Sequence, residues 1–470
     1  MGFATLIVAT VAGLAVLWII HALNMRGLYL AQGLAPQGSQ SLVKDLCAFA
    51  MTSLPRIVRT IKTGTGGFDL SGNEQRWREL EGPHLAFQFS ESVLQPSKLV
   101  ESKYFAENYY VWMSDLDSDF LVTTRLSFYG TNASTVIPWF TFQLEGEEWN
   151  LPQDFTPMPH LLASQEREAV DRNGLGRLWF NNPKPMREWT IQYSGVVENR
   201  ARTQRQNVTA EFTLLFSERD VFSYQLHWDE MATALSLAGK PWDEAFFKNL
   251  RSQNQERYAS KAKLGSGFVQ FAGQNKRAFT GMQASRDHLW GIRNWVFMPR
   301  YVWWPPIALK RALVIDQVAY TSFIGAFVEY GNTMANMVVG GLVSDEGKVA
   351  SFSGATHMRD IAKAWYEEPP TGEFIGERLV PGDMRLEIGL LGGEYIMEVN
   401  VQRGAKHGLW SHTFSLAEGR FEIQEALARF EFTVRRLGAD RASVVSNSSA
   451  TGLFEFGATV VPVASYAEGE

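Results

Sequence analysis

The stretch with the densest potential chemistry is Arg286-Asp287-His288-Leu289-Trp290-Gly291-Ile292-Arg293-Asn294-Trp295. His288 can hold or release a proton near neutral pH, and Asp287 stands beside it in sequence. The π face of Trp290 can stabilise a nearby cation. Such a set suits delivery of a proton beside a place where positive charge develops. The same residues also suit a structural role, with Arg286 and Asp287 as a buried ion pair, Trp290 as a core plug and Arg293 as its stacking partner. Both readings stand at this level.

Other chemistry finds little support in the sequence. His84, His160, His227, His357, His407 and His412 form no metal-ligand spacing, and the single cysteine, Cys47, excludes a thiolate zinc site and an intrachain disulfide. No Gly-x-Ser-x-Gly elbow occurs, and Thr63 to Gly67 lacks the Lys-Ser/Thr of a phosphate loop. No metal and no cofactor is expected. The formal net charge of −6 argues against nucleic acid as a partner, since that requires clustered positive charge. The apolar fraction of 45%, with 31 Phe and 15 Trp, allows a large core and suits aromatic-rich strands around an apolar ligand.

The elements that must position the motif follow from the hydrophobic rhythm. Phe3 to Ile20 contains no charged residue, and about 20 helical residues span the roughly 30 Å of a bilayer core. A single N-terminal transmembrane anchor is therefore expected over 1–24. Arg26, Lys44, Arg56, Arg59 and Lys62 follow it, which predicts that the bulk of the chain faces the cytosol. The triplets at Asn132, Asn207 and Asn447 match the glycosylation pattern, but such triplets are frequent by chance. Residues 25–75 read as a linker and an amphipathic helix over Leu42 to Ile61, lying on the bilayer or docked on protein. Period-two segments fill 76–227, Ala-, Leu-, Glu- and Lys-rich sequence over 228–260 reads as a helical connector, and strands resume over 261–470. The expected fold is all-β, with two antiparallel barrels. Tyr301 to Pro306 (YVWWPP) reads as an aromatic loop that lines a cavity mouth, touches the bilayer or packs between the domains.

The Arg-Asp-His-x-Trp-Gly-x-Arg-x-Trp run, preceded by Glu256-Arg257-Tyr258 and followed by Pro381-Gly382 and Gly452 to Gly457 (GLFEFG, with Glu455), resembles the lipocalin-like family of carotenoid 1,2-hydratases (hydroxyneurosporene synthase) and AttH-type proteins. Leu289 departs from the small polar residue usual there. The resemblance covers about residues 228 to 460. It implies two tandem lipocalin-like barrels enclosing an apolar cavity, and it implies roles in activity for His288 and Trp290. It also implies a downstream Asp and Tyr, for which Asp316 and Tyr320 are candidates by distance. Arg286, Arg293, Trp295, Trp303 and Trp304 complete the expected ligand-binding set, with Asp287 assisting His288. The expected partners are a hydrophobic small molecule of isoprenoid or lipid type and the bilayer. The expected function is binding of that molecule, with hydration or cyclisation of it as the enzymatic version. A non-catalytic carrier or a structural module of a membrane complex is the alternative.

Overall fold

The computed structural model describes residues 16–26, 29, 41–63, 105–115, 119–130, 135–158, 167–199, 201–217, 219, 221–224, 227–252, 254–293, 300–331, 333–356, 383–403, 410–416, 419–437 and 443–459. Two antiparallel barrels of eight strands each dominate them. The first uses β1 (Phe105–Asp115), β2 (Phe120–Tyr129), β3 (Thr135–Leu144), β4 (Glu147–Asn150), β7 (Glu188–Asn199), β8 (Gln204–Leu215), β11 (Leu264–Phe271) and β12 (Arg277–Ile292). It closes where β12 returns to β1, from Phe105 opposite Ile292 to Ser114 opposite Gln283. The hairpin of β5 (Arg167–Val170) and β6 (Gly176–Lys184) hangs on β7, and β9 (Phe222–Ser223) and β10 (Asn254–Lys261) extend the sheet beside β12.

The second barrel runs β13 (Arg300–Ile315), β14 (Val318–Tyr330), β15 (Met334–Ser344), β16 (Val349–Thr356), β17 (Asp383–Leu390), β18 (Tyr395–Arg403), β20 (Gly419–Arg436) and β21 (Ser443–Thr459), and closes from β21 to β13. Strand β19 (Trp410–Leu416) pairs outside the ring with β20. Neighbours in sequence are neighbours around each ring, the up-and-down order of a lipocalin-like barrel.

Strand β8 shows why the sequence folds this way. Val208, Ala210, Phe212 and Leu214 are buried, while the residues between them are exposed or half-buried. Strand β1 breaks the alternation because both its faces are covered. Phe105, Tyr109, Val111 and Met113 enter the core of the first barrel, while Ala106, Tyr110 and Trp112 join the core that continues into the second. The barrels thus share a seam, and β1, β2 and β12 line it.

Three expectations change. Residues 228–260 do not connect two domains. Helices α3 (Glu230–Ala238) and α4 (Glu244–Ser252) sit between β9 and β10, and β11 and β12 complete the first barrel. The boundary expected at residue 261 moves to between β12 and β13, because period-two rhythm reveals strands but not their partners. Residues 254–258, expected in a helix, begin strand β10. Tyr301 to Pro306 is strand, not loop. Pro305 and Pro306 fall where the β13–β14 register shifts between Trp304 and Ile307, the place a residue without an N–H fits.

Residues 3–15 of the expected anchor lie outside the described residues. Among the described residues, no helix is long and apolar enough to cross a membrane. Residues 16–26 form helix α1, which packs on α2 (Leu42–Thr63). The Trp18 and Phe49 rings lie 5.2 Å apart, and Arg26 bridges to the buried Asp45 at 2.6 Å. Helix α2 packs on α3, and α3 on β15 and β16. The side chain of Asp229 caps α3 by accepting the Ala232 N–H at 2.9 Å, and Met231 to Ala238 are all buried.

Candidate functional site

Alternation along β12 sorts the motif into two groups. Even-numbered Arg286, His288 and Trp290 enter the first barrel, and odd-numbered Asp287 and Leu289 face the seam. Asp287 therefore does not pair with Arg286 or assist His288 directly, since consecutive strand residues point to opposite faces.

Inside the barrel, His288 is fully buried. Its Nε2 lies 3.2 Å from Oε1 of Glu107, which is also fully buried. Its Nδ1 lies 3.3 Å from the Tyr258 hydroxyl, and the Tyr109 hydroxyl donates to the same Glu107 oxygen. With Nε2–H donating to Glu107, Nδ1 accepts from Tyr258 in the neutral ring and donates to it in the imidazolium. The result is a buried chain, Tyr109–Glu107–His288–Tyr258, able to hold or move one proton. The imidazole stacks on Tyr109 at 4.3 Å and lies 4.8 Å from the Trp290 ring. Gly291 adopts φ 129°, open only to glycine, which turns the strand end directly after Trp290.

One step along the strand, the Arg286 guanidinium stacks over Phe216 at 4.1 Å and lies 5.2 Å from the Trp189 ring. Its Nε donates to Ser260 Oγ at 3.1 Å, and Met186 closes over it. Burial pushes the Arg286 pKa well down. This end of the barrel is thus a cationic and imidazole cluster walled by Trp189, Phe216, Tyr258 and Trp290.

The seam holds a second polar group. Asp287 accepts from Arg257 Nε at 2.6 Å, and the Arg257 guanidinium lies over Trp303 at 4.5 Å and Tyr224 at 4.6 Å. Trp303 Nε1 donates to the Tyr224 hydroxyl at 2.7 Å. Burial works against the Arg257 charge, but Asp287, Tyr224 and Glu455 together outweigh it and the pKa is raised. Glu425 and Glu455 face each other across β20 and β21, accepting from Tyr110 at 2.7 Å and from Tyr301 respectively. Burial, then the adjacent Glu425 charge, push the Glu455 carboxyl up to about 8. Burial likewise drives the Tyr110 and Tyr301 pKa values well up. Arg293 lies in this seam, with Tyr129, Arg257, Tyr301 and Tyr330 acting on its charge, and burial lowers its pKa. Gly457 sits against the Tyr301 ring and leaves no room for a Cβ, which accounts for one glycine of the closing GLFEFG element.

The remaining expected residues disperse. Trp304 points into the second barrel, against Phe327 at 5.1 Å and Phe454 at 5.8 Å. Asp316 sits exposed in the β13–β14 turn and accepts from Tyr395 at 2.6 Å, with Tyr320 just beyond. Along β14, where Ala326 pairs with Trp303 and Val318 pairs with Ile315, the turn is eight residues away, roughly 26 Å at about 3.3 Å per residue. Trp295 lies outside the described residues. A cavity of about 260 Å³ opens elsewhere, lined by Ile137, Trp139, Asn150, Phe155 and Pro157 among others, with no motif residue in its wall.

Sequence reasoning missed Glu107 and Tyr109. Their signal was a carboxylate, next to Asn108, in a run of otherwise apolar and aromatic residues, FAENYYVWM. Tyr258 was part of the recognised motif but carried no assigned role.

No family model and no curated protein matches the chain. Among solved structures it is similar to a Nitrosomonas europaea protein assigned as AttH, at 11% identity over 79% of this chain and 98% of that one, with a TM-score of 0.38. It is also similar to kievitone hydratase from Nectria haematococca, at 9% identity over 76% of this chain and 91% of that one, with a TM-score of 0.33.

Proposed function

We propose that this protein binds an apolar small molecule of isoprenoid or lipid type at the His288 end of the first barrel and adds water across one of its carbon–carbon double bonds. The observation that carries this reading is the buried Tyr109–Glu107–His288–Tyr258 chain beside Trp290. His288, as imidazolium, gives its Nδ1 or Nε2 proton to one alkene carbon. The π electrons form that C–H bond and leave a cation on the other carbon. The faces of Trp290 and Tyr109 stabilise that cation. Water attacks it and loses a proton to the neutral imidazole, which restores the acid. Glu107 holds the ring in orientation and stabilises its charged form. The apolar N-terminal run would keep the protein at the membrane, where such substrates dissolve, with the barrels on the cytosolic side.

A carrier or structural role is the second reading, favoured by the close stacking of His288 on Tyr109 and of Arg286 on Phe216. The test uses the purified full chain in detergent with prenyl alkenes, farnesol and squalene among them, in ¹⁸O-labelled water. Labelled alcohol should form, and His288→Ala should lower its rate by about 100-fold or more while retaining bound probe. Undiminished turnover in His288→Ala would remove the histidine from the mechanism. Stoichiometric probe binding with no labelled product in either protein would favour the carrier.

A further inference from the structure

The two N-terminal helices expose an apolar side that the barrels leave uncovered. Helix α1 turns Ala22 inward, with Trp18 and Met25 partly buried, while Val16, Leu17, Ile19, Ile20 and Leu23 stand 39–64% exposed, broken only by His21 and Asn24. Helix α2 buries Asp45, Ala48, Phe49 and Thr52. Opposite them, Val43, Cys47 and Met51 recur every fourth residue, all exposed, Val43 at 71%. A run of this kind on a water-facing surface marks a binding face.

Two further observations identify what covers it. Val16 to Ile20 of α1 end the uncharged Phe3–Ile20 run, so the sequence leading into the helix is apolar as well. In sequence, the second half of α2 carries Arg56, Arg59 and Lys62 and no acid, while Lys44 is taken up by the Lys240 carbonyl and the Trp242 ring and the single acid of the helix, Asp45, by Arg26. Apolar side chains flanked by basic residues fit the headgroup boundary of an anionic bilayer. We infer that the α1–α2 hairpin is a membrane seat. Its outer side, marked by Leu17, Ile20, Val43 and Met51, lies in the interfacial layer of an anionic bilayer. The Arg26–Asp45 bridge and the α2–α3–β15 stack transmit that attitude to the barrels. The seat rests on the membrane placement proposed above, and not on the chemistry of His288.

Cys47, the single cysteine, lies between Val43 and Met51 and serves as a native reporter. The full chain, labelled there with an environment-sensitive fluorophore, is floated with phosphatidylcholine vesicles with and without phosphatidylglycerol. The seat predicts several-fold more binding to the anionic vesicles. It also predicts a blue-shifted label quenched by spin-labelled lipid and shielded from aqueous iodide. Val43→Glu and Met51→Glu should each weaken binding about tenfold with unchanged melting. A protein that floats while its label stays fully open to iodide overturns the seat and leaves the membrane placement standing. Failure to float overturns both. A label that becomes buried by self-association without vesicles overturns the lipid in favour of a second copy. A Leu17→Cys, Cys47→Ser protein repeats the measurement from α1, so that a local effect of one label cannot decide the result.

Discussion

The interior end of the first barrel and the seam between the barrels draw on the same strand, yet they handle charge in opposite ways. Inside, β12 contributes Arg286 and His288, which meet rings, the hydroxyls of Ser260 and Tyr258, and one carboxylate, Glu107. On the seam, the same strand contributes Asp287, directly bridged by Arg257, in a network where carboxylates, guanidiniums and phenols are interleaved. A seam between two barrels desolvates its charges without giving them anywhere to move, so it must pair them, as it does Asp287, or favour their neutral form, as it does Glu455. The interior cluster has its proton-bearing groups in a line facing aromatic walls, the arrangement expected where a proton is delivered. On the function proposed above, the seam holds the barrels together and the interior cluster acts.

The comparison can be broken most forcefully at Arg257. Replacing it with alanine strands the Asp287 carboxylate, only 7% exposed, in the seam, and stability should fall by about 3–5 kcal/mol in urea unfolding. Were the loss under about 1 kcal/mol, the seam would not be the charge-matched element described. Glu455 offers a subtler test, through pH. Its folded pKa of about 8 lies above the ordinary value of 4.5, so the folded state holds the proton more tightly. Its contribution to stability is then complete below about 4.5 and is lost as pH rises through about 8, with a slope of up to about 1.4 kcal/mol per pH unit. The groups facing it are Glu425, Tyr301, Arg125 and Arg257. Glu455→Gln should flatten the melting temperature against pH across that window, and an unchanged profile would mean that another group carries the proton. The smallest effect is expected at the rim, where Lys261 of the first barrel meets Asp345 and Thr321 of the second. Asp345 is 53% exposed, so Asp345→Asn should cost no more than about 0.5 kcal/mol. A larger loss would extend the seam's role to its edge.

Much of the fold was legible. Strands such as β8 declared themselves by alternation, and the aromatic content suited barrels. The site was legible in part. The types and spacing of His288 and Trp290 marked them as a pair on one strand face, and Arg257-Tyr258 belonged to the recognised motif. What failed were inferences that needed a partner. Arg286 and Asp287 are adjacent in sequence and look like an ion pair, yet the strand sends them to different regions. Asp316 and Tyr320 stood at a plausible distance along the chain, but β13 carries them to its far turn. Trp303 and Trp304 read as one aromatic pair and divide between the seam and the second barrel's core.

By itself, the sequence determined the secondary structure's rhythm, the aromatic and largely apolar character of the interior, and which strand bears a titratable imidazole, because these depend on residue type and local period. Only the tertiary structure decided that Glu107, 181 residues away, meets that imidazole, and that Glu425 and Glu455 share a buried seam. Barrel closure is the physical reason. It brings the last strand of a ring onto the first, and no local pattern records which carboxylate will be waiting there.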